Sequence, residues 1–160
     1  MTTVDGERMI APSWKAEHES AAIPPPWYVG LNALGGGPLG LQAGVRDWRA
    51  YRHYDGQVYR DLYSHGGANN VGLLVKTTGR VTGHGAGFFY LDGDCAFDDG
   101  DESIAGVRVD WPFADPMPAE GSFVEVVAVS SCRIVHDQTY GDIVVRQLRP
   151  VSGSAVRVLL

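Results

Sequence analysis

Val71–Leu91 reads VGLLVKTTGRVTGHGAGFFYL. Two runs of strand-forming residues, Val71–Thr82 and Phe88–Leu91, flank the turn-like His84-Gly85-Ala86-Gly87. In the first run Leu73, Val75 and Thr77 alternate with Leu74, Lys76 and Thr78. A period of two puts successive side chains on opposite faces of a strand, and a Gly-rich break between two such runs signals a hairpin. Gly79 lies mid-run, where a strand serving both halves of a small barrel has to bend. The stretch therefore predicts the opening hairpin of a small β-barrel.

Downstream, Gly106–Asp110 reads as a third strand, Phe123–Ile134 as a long fourth and Asp142–Leu148 as a fifth. Trp111–Gly121, with Pro112, Pro116 and Pro118, is a connection, and Ala155–Leu160 predicts a further strand at an edge. Five strands in this order, the first long and bent, match the OB-fold, a five-stranded Greek-key barrel. The expected fold is all-β, with an OB-fold-like barrel over residues 71–160.

Upstream, Thr2-Thr3-Val4 and Arg8-Met9-Ile10 flank Asp5-Gly6, a favoured two-residue hairpin turn. A hairpin this short is not stable alone in water, so it needs a partner. Pro24-Pro25-Pro26 and Gly35-Gly36-Gly37-Pro38 mark an irregular strap, and Leu31, Leu34, Leu39 and Leu41 within it predict attachment to a surface. Residues 1–44 thus form a hairpin and a Gly/Pro-rich extension. Residues 45–70 form an aromatic-rich insertion. A helix is one reading of residues 45–65; a hairpin turning at Asp55-Gly56 is preferred, because Trp48–Tyr54 and Val58–Leu62 alternate.

The totals bound the function. A chain of 160 residues with 44% hydrophobic content fits one domain with a real core, and 21 glycines with 9 prolines favour short strands. The formal net charge is −6, and Asp92–Glu102 holds Asp92, Asp94, Asp98, Asp99, Asp101 and Glu102 with no basic residue. Lysine occurs only at Lys15 and Lys76, so no basic stripe of the kind that tracks a phosphate backbone is offered. No apolar run approaches the roughly 18 residues of a membrane-spanning helix. The N-terminus MTTVDGERMI lacks the pattern of a signal peptide, so the chain reads as cytosolic or as part of something longer.

Candidate chemistry is sparse. His18, His53, His65, His84 and His136 are dispersed, with no His-Glu-x-x-His, Gly-x-Ser-x-Gly or Cys-x-x-Cys pattern, and no enzyme is expected. Asp92, Asp94, Asp98, Asp99 and Asp101 are candidate calcium ligands, because that ion takes six to eight oxygens and Gly93 and Gly100 would bring carbonyls close. A solvated acidic loop is the simpler reading. Trp48, Tyr51, Phe88, Tyr90 and Arg108 are candidate ligand contacts, since rings with interleaved arginines suit sugar faces or bases. Ordinary core packing of those rings is the alternative. Cys95 and Cys132 fit one disulfide or two thiols on counting alone.

The segments GLLVKTTGRVT (72–82), FFYLDGDC (88–95), GVRV (106–109), GSFVEVVAVSSCR (121–133) and VVRQLRPVS (144–152) together resemble OB-fold modules of large exported bacterial proteins. Those modules carry a GLLVxxxGRVT strand, an FYxDDG turn, a GVxV strand and a V-x-V-x-G-x-S-S-C segment. The likeness covers about residues 30–152, with residues 45–65 as an insertion. Asp92-Gly93-Asp94 departs from DDG, and Ala128 stands at the glycine position. The resemblance implies architecture and an extracellular or cell-surface location rather than chemistry. It favours a Cys95–Cys132 disulfide, worth about 3 kcal/mol in loop-entropy terms.

The opening TTVDGERMIAP is also similar to the chain's own RIVHDQTYGDIVVRQLRP: strand, polar turn, strand, proline. In tandem modules such a hairpin closes a preceding barrel, and here that barrel is absent. Two expectations follow. The first is a structural protein that assembles head-to-tail with copies of itself, Thr2, Val4, Arg8 and Ile10 adding to a neighbour by β-augmentation. The second is a binding module for an oligosaccharide or, less in keeping with the acidity, single-stranded nucleic acid.

Overall fold

The computed structural model describes residues 24–40, 42–93 and 105–160, together with the backbone of Thr2–Val4, Glu7–Met9 and Phe97–Asp98; for Ala50 and Tyr51 it describes the backbone alone. The strands are β1 (Thr2–Val4), β2 (Glu7–Met9), β3 (Trp27–Tyr28), β4 (Arg46–Arg52), β5 (Val58–Ser64), β6 (Leu74–Gly85), β7 (Phe88–Asp92), β8 (Phe97–Asp98), β9 (Val107–Asp110), β10 (Phe123–Asp137), β11 (Gly141–Pro150) and β12 (Val156–Val158). The described residues contain no α-helix, and short 3-10 turns cover Leu31–Ala33 and Gly153–Ala155.

Five strands close a ring in the order β6–β7–β9–β11–β10 and back to β6. β9 and β11 run parallel, and the other neighbours run antiparallel. Closure depends on two long strands that change partner midway. β6 pairs with β10 over Leu74–Arg80 and with β7 over Arg80–Gly85. β10 pairs with β6 over Phe123–Val129 and with β11 over Ala128–Asp137. β3 adds to β6 in parallel, and β12 adds to β10 antiparallel, completing a mixed sheet of seven strands. The expected strand at the C-terminal edge is therefore present. The insertion is a hairpin, β4 with β5, to which β8 adds as a third strand.

The alternation read from the sequence becomes burial. Val75, Thr77, Gly79 and Val81 face inward while Leu74, Lys76 and Thr78 are half-buried. Val107, Val109, Phe89, Leu91, Val124, Val126, Ala128 and Leu148 fill the same core. Trp111 closes it edge-on to Phe89 with ring centroids 5.9 Å apart. Burying such side chains contributes about 1.5–3 kcal/mol each, which is what holds the ring together.

Two local expectations change. The register irregularity of β6 falls between Val81 and Gly83, not at Gly79. Gly79 serves close approach instead: a Cβ there would lie 2.6 Å from the Asp92 carbonyl oxygen and 2.9 Å from Leu31 Cδ1. The turn is also tighter than His84–Gly87, since β6 runs through Gly85 and only Ala86-Gly87 link it to β7.

The strap is part of the barrel. Leu31 and Leu34 sit in its core, whereas Leu39 is exposed and Leu41 lies outside the described residues. Asn69 and Asn70 pin it. Gly35 N–H donates to Asn70 Oδ1 at 2.8 Å, Asn70 Nδ2 donates to Ala33 O at 2.6 Å, and Asn69 Nδ2 donates to Gly37 O at 2.7 Å. Ser130 Oγ on β10 also donates to Asn70 Oδ1, at 2.6 Å. One buried amide thereby ties strap and barrel, satisfying backbone groups that would otherwise be left unpaired. Trp27–Tyr28 within the strap is a strand, which the irregular reading of this segment did not include.

Candidate functional site

The aromatic–arginine insertion folds onto itself and onto the barrel. Trp48 is 3% exposed and packs with Ile143 and Val145 on the outer half of β11. Its ring faces the Arg60 guanidinium at 5.8 Å, and Arg49 lies over Tyr63 at 5.2 Å. These are diagonal cross-strand pairs of the β4–β5 ladder, in which Trp48 opposes Leu62 and Asp47 opposes Tyr63. The interleaving read as a ligand surface is thus largely spent on intramolecular stacking. The side chain of Tyr51 lies outside the described residues.

Asp47 and Arg146 anchor this hairpin. Both are buried; Arg146 Nε donates to Asp47 Oδ1 at 2.9 Å, Nη2 donates to Asp47 Oδ2, and Nη1 donates to Leu31 O at 2.6 Å. All three contacts converge on one guanidinium, so insertion, strap and β11 are locked at a single point.

Phe88, Tyr90 and Arg108 do come together, on β7 and β9. The Arg108 guanidinium stands 3.8 Å from the Phe88 ring centre, and Phe88 meets Tyr90 edge-on at 5.6 Å. Tyr90 is buried, so Phe88 and Arg108 are the partly accessible members. Asp110 organises the polar side of this face: Oδ1 accepts from Arg108 Nε at 3.0 Å, Oδ2 accepts from Gln147 Nε2 at 2.6 Å, and Arg149 Nε lies 3.9 Å away. Alongside is an open cleft of about 350 Å³ lined by Gly87, Arg108, Asp110, Trp111, Pro112, Arg149 and Pro150. A planar cation held on a ring beside a carboxylate offers stacking and hydrogen bonding to a neutral polar ligand.

Of the candidate calcium ligands, Asp92 closes β7 and is half-buried. Asp94, Asp99, Asp101 and the side chain of Asp98 lie outside the described residues, and no group of metal-ligating side chains occurs among the described ones. Cys132 is fully buried in β10, with Gln42 Nε2 3.7 Å from its Sγ. Cys95 lies outside the described residues, among which there is no disulfide. The described histidines have local partners. His84 Nε2 is 2.7 Å from Pro118 O, His136 Nδ1 is 2.9 Å from Asp142 Oδ1, and His65 Nε2 contacts Asn32 O.

The assembly candidates sit on a sheet of their own. β1 and β2 pair with Thr2 opposite Met9 and Val4 opposite Glu7; β2 approaches β10, but no other described strand pairs with them. Thr2 and Val4 belong to β1 and Arg8 to β2, while Ile10 lies outside the described residues. The outer sides of β3, β12, β5 and β8 likewise carry no further strand among the described residues. No helix among the described residues is long and apolar enough to cross a membrane.

Sequence reasoning missed Asp47, Asn70, Asp110 and Arg146, and the strand at Trp27-Tyr28. Arg146 left a signal: a charged residue inside the apolar alternation Ile143–Leu148 calls for a buried partner. Trp27-Tyr28-Val29 left another, three strand-forming residues in a row. Compared with known proteins, the chain matches no family model, no curated protein and no solved structure.

Proposed function

We propose that the chain is a non-enzymatic, exported structural protein, built on an OB-fold barrel, that polymerises with copies of itself through its N-terminal hairpin. The OB reading is supported by the ring of five strands, by a first strand shared between two neighbours, and by the parallel β9–β11 pair. Export rests on the resemblance to modules of exported bacterial proteins. The observation that carries self-assembly is the separate β1–β2 sheet. A two-stranded sheet is marginal in water, and edges with no partner among the described residues are templates for another chain. Addition to a neighbour's sheet is a heterologous contact, which propagates into a filament unless it closes into a ring. Deleting residues 1–12 tests this by light scattering and negative-stain microscopy: soluble monomers are expected, and fibres from the truncated protein through the same interface would sink the reading.

A second reading is favoured by the Phe88–Arg108 stack beside its cleft. There the barrel is a binding module for an oligosaccharide, with single-stranded nucleic acid the weaker candidate for a chain of net charge −6. A glycan array and an oligonucleotide titration at low salt separate the two ligands. Silence in both leaves the structural reading.

A further inference from the structure

We infer that the outer edge of β12 in one copy of this chain pairs with the outer edge of β3 in another, so that the layer β3–β6–β10–β12 continues from subunit to subunit. The inference rests on the self-assembly reading only in that copies associate, and it names a different pair of edges from the hairpin.

One wall of the barrel is this layer. β3 pairs with β6 at Val75–Lys76, β6 with β10 over Leu74–Arg80, and β12 with β10 at Val124–Val126, opposite Thr77–Gly79 of β6, so the two outer strands are staggered along the strand direction. Both ends of the row are open among the described residues. β3 runs parallel to β6, β6 antiparallel to β10 and β10 antiparallel to β12, so β12 and β3 point the same way. A second copy displaced across the layer, and shifted along the strands by the stagger, therefore brings β3 against β12 in parallel, with no reversal needed.

The two edges also match chemically. Beside β3 is an apolar groove of about 230 Å³ lined by Pro24, Pro25, Trp27, Gly72, Leu73 and Leu74, where Trp27 is 63% and Leu73 40% exposed. Beside β12, Val158 is 54% and Leu160 90% exposed. On the outer face of the layer Lys76 and Arg157 both pair with Glu125, at 3.3 and 3.4 Å, and Tyr28 Oη lies 3.2 Å from Thr78 Oγ1. Arg157 stands at one open edge and Tyr28 at the other, each about two-thirds exposed, so joining the edges brings a guanidinium to a phenol ring. Both edges are short. β3, which follows three prolines, has two residues, and β12 has three.

Two residues of β3 cover far less than the roughly 1,000 Å² a stable contact needs, so the seam is one part of a larger contact between copies. Its geometry is defined. Four strands spaced about 4.8 Å apart advance each copy roughly 19 Å, and strand twist of about 20–25° turns each copy by roughly a quarter turn.

Trp27→Glu and Val158→Lys in the full chain test the seam, because both side chains are largely exposed and the folds should survive, as circular dichroism will show. Each variant alone is expected to lose fibres in sedimentation velocity and microscopy. An equimolar mixture is expected to regain them, since the new lysine edge of one meets the new glutamate edge of the other. Fibres from either folded variant alone, or no recovery on mixing, would overturn the inference. So would a wild-type fibre with an axial advance beyond about 30 Å, which no continuous four-strand layer allows. Loss of fibres on deleting residues 1–12 but not in the edge variants overturns the seam and leaves the hairpin reading standing. The opposite pattern overturns the hairpin reading alone.

Discussion

Asp47 and Arg146, 99 positions apart, form a two-pronged ion pair that is almost wholly buried, with the third arm of the guanidinium on the Leu31 carbonyl. Three chain segments that the sequence presents as separate pieces meet there. The insertion supplies the carboxylate, the barrel the cation and the strap the carbonyl. Burying two charges costs several kcal/mol per ion, and mutual pairing with full hydrogen bonding offsets it.

Asp47→Ala removes the carboxylate that faces the buried Arg146 guanidinium. A loss of about 3–5 kcal/mol in urea unfolding is expected, and Asp47→Leu combined with Arg146→Met should recover most of it. Equal losses in the single and double variants would show that the pair is not what holds the segments together.

Asn70→Leu keeps the volume and removes the amide. Gly35 N–H, Ala33 O and Ser130 Oγ each lose a buried partner. About 2–4 kcal/mol of stability should go, with faster hydrogen exchange at the Gly35 amide than at β10 amides.

Gly36 and Gly56 share nearly the same φ, +84° and +83°, in different surroundings. A Cβ at Gly36 overlaps the Ala68 carbonyl, whereas at Gly56 it meets open space. Gly56→Ala should therefore cost only the left-handed penalty of about 1–2 kcal/mol, and Gly36→Ala that plus a steric clash. Thermal melts of the two variants isolate the second contribution.

Trp48→Ala opens the small cluster with Ile143 and Val145 while leaving the main barrel core intact. A loss of about 3–5 kcal/mol is expected. Protease cleavage near the exposed turn at Tyr54–Gly56 should rise before cleavage in β10 does.

Strand positions were legible because each buried face is written locally as a period of two. β6, β7, β9, β10, β11 and even the edge strand β12 were all readable this way. So was the β4–β5 hairpin, from Asp55-Gly56 and its flanking alternation. What was not legible depends on pairs distant in sequence. Trp48 and Phe88 read alike as exposed-capable aromatics, yet one is packed against β11 and the other stacks half-buried on Arg108. No local pattern distinguishes them, because burial of an aromatic is decided by what folds over it. Gly79 is similar: a mid-strand glycine signals a bend or a close approach, and only the position of the Asp92 carbonyl selects the second.

By itself, then, the sequence determined an all-β chain, the positions and order of most of its strands and a short hairpin at its start. Periodicity and turn chemistry are local, and local signals are complete in the sequence. Tertiary structure alone decided that the strap belongs to the barrel core, that Asp47 and Arg146 meet, and that Val71–Leu91 supplies a central strand of a layer whose two ends carry no further described strand. Those are outcomes of closure, in which β6 and β10 each change partner midway and leave an edge on either side for β3 and β12 to take.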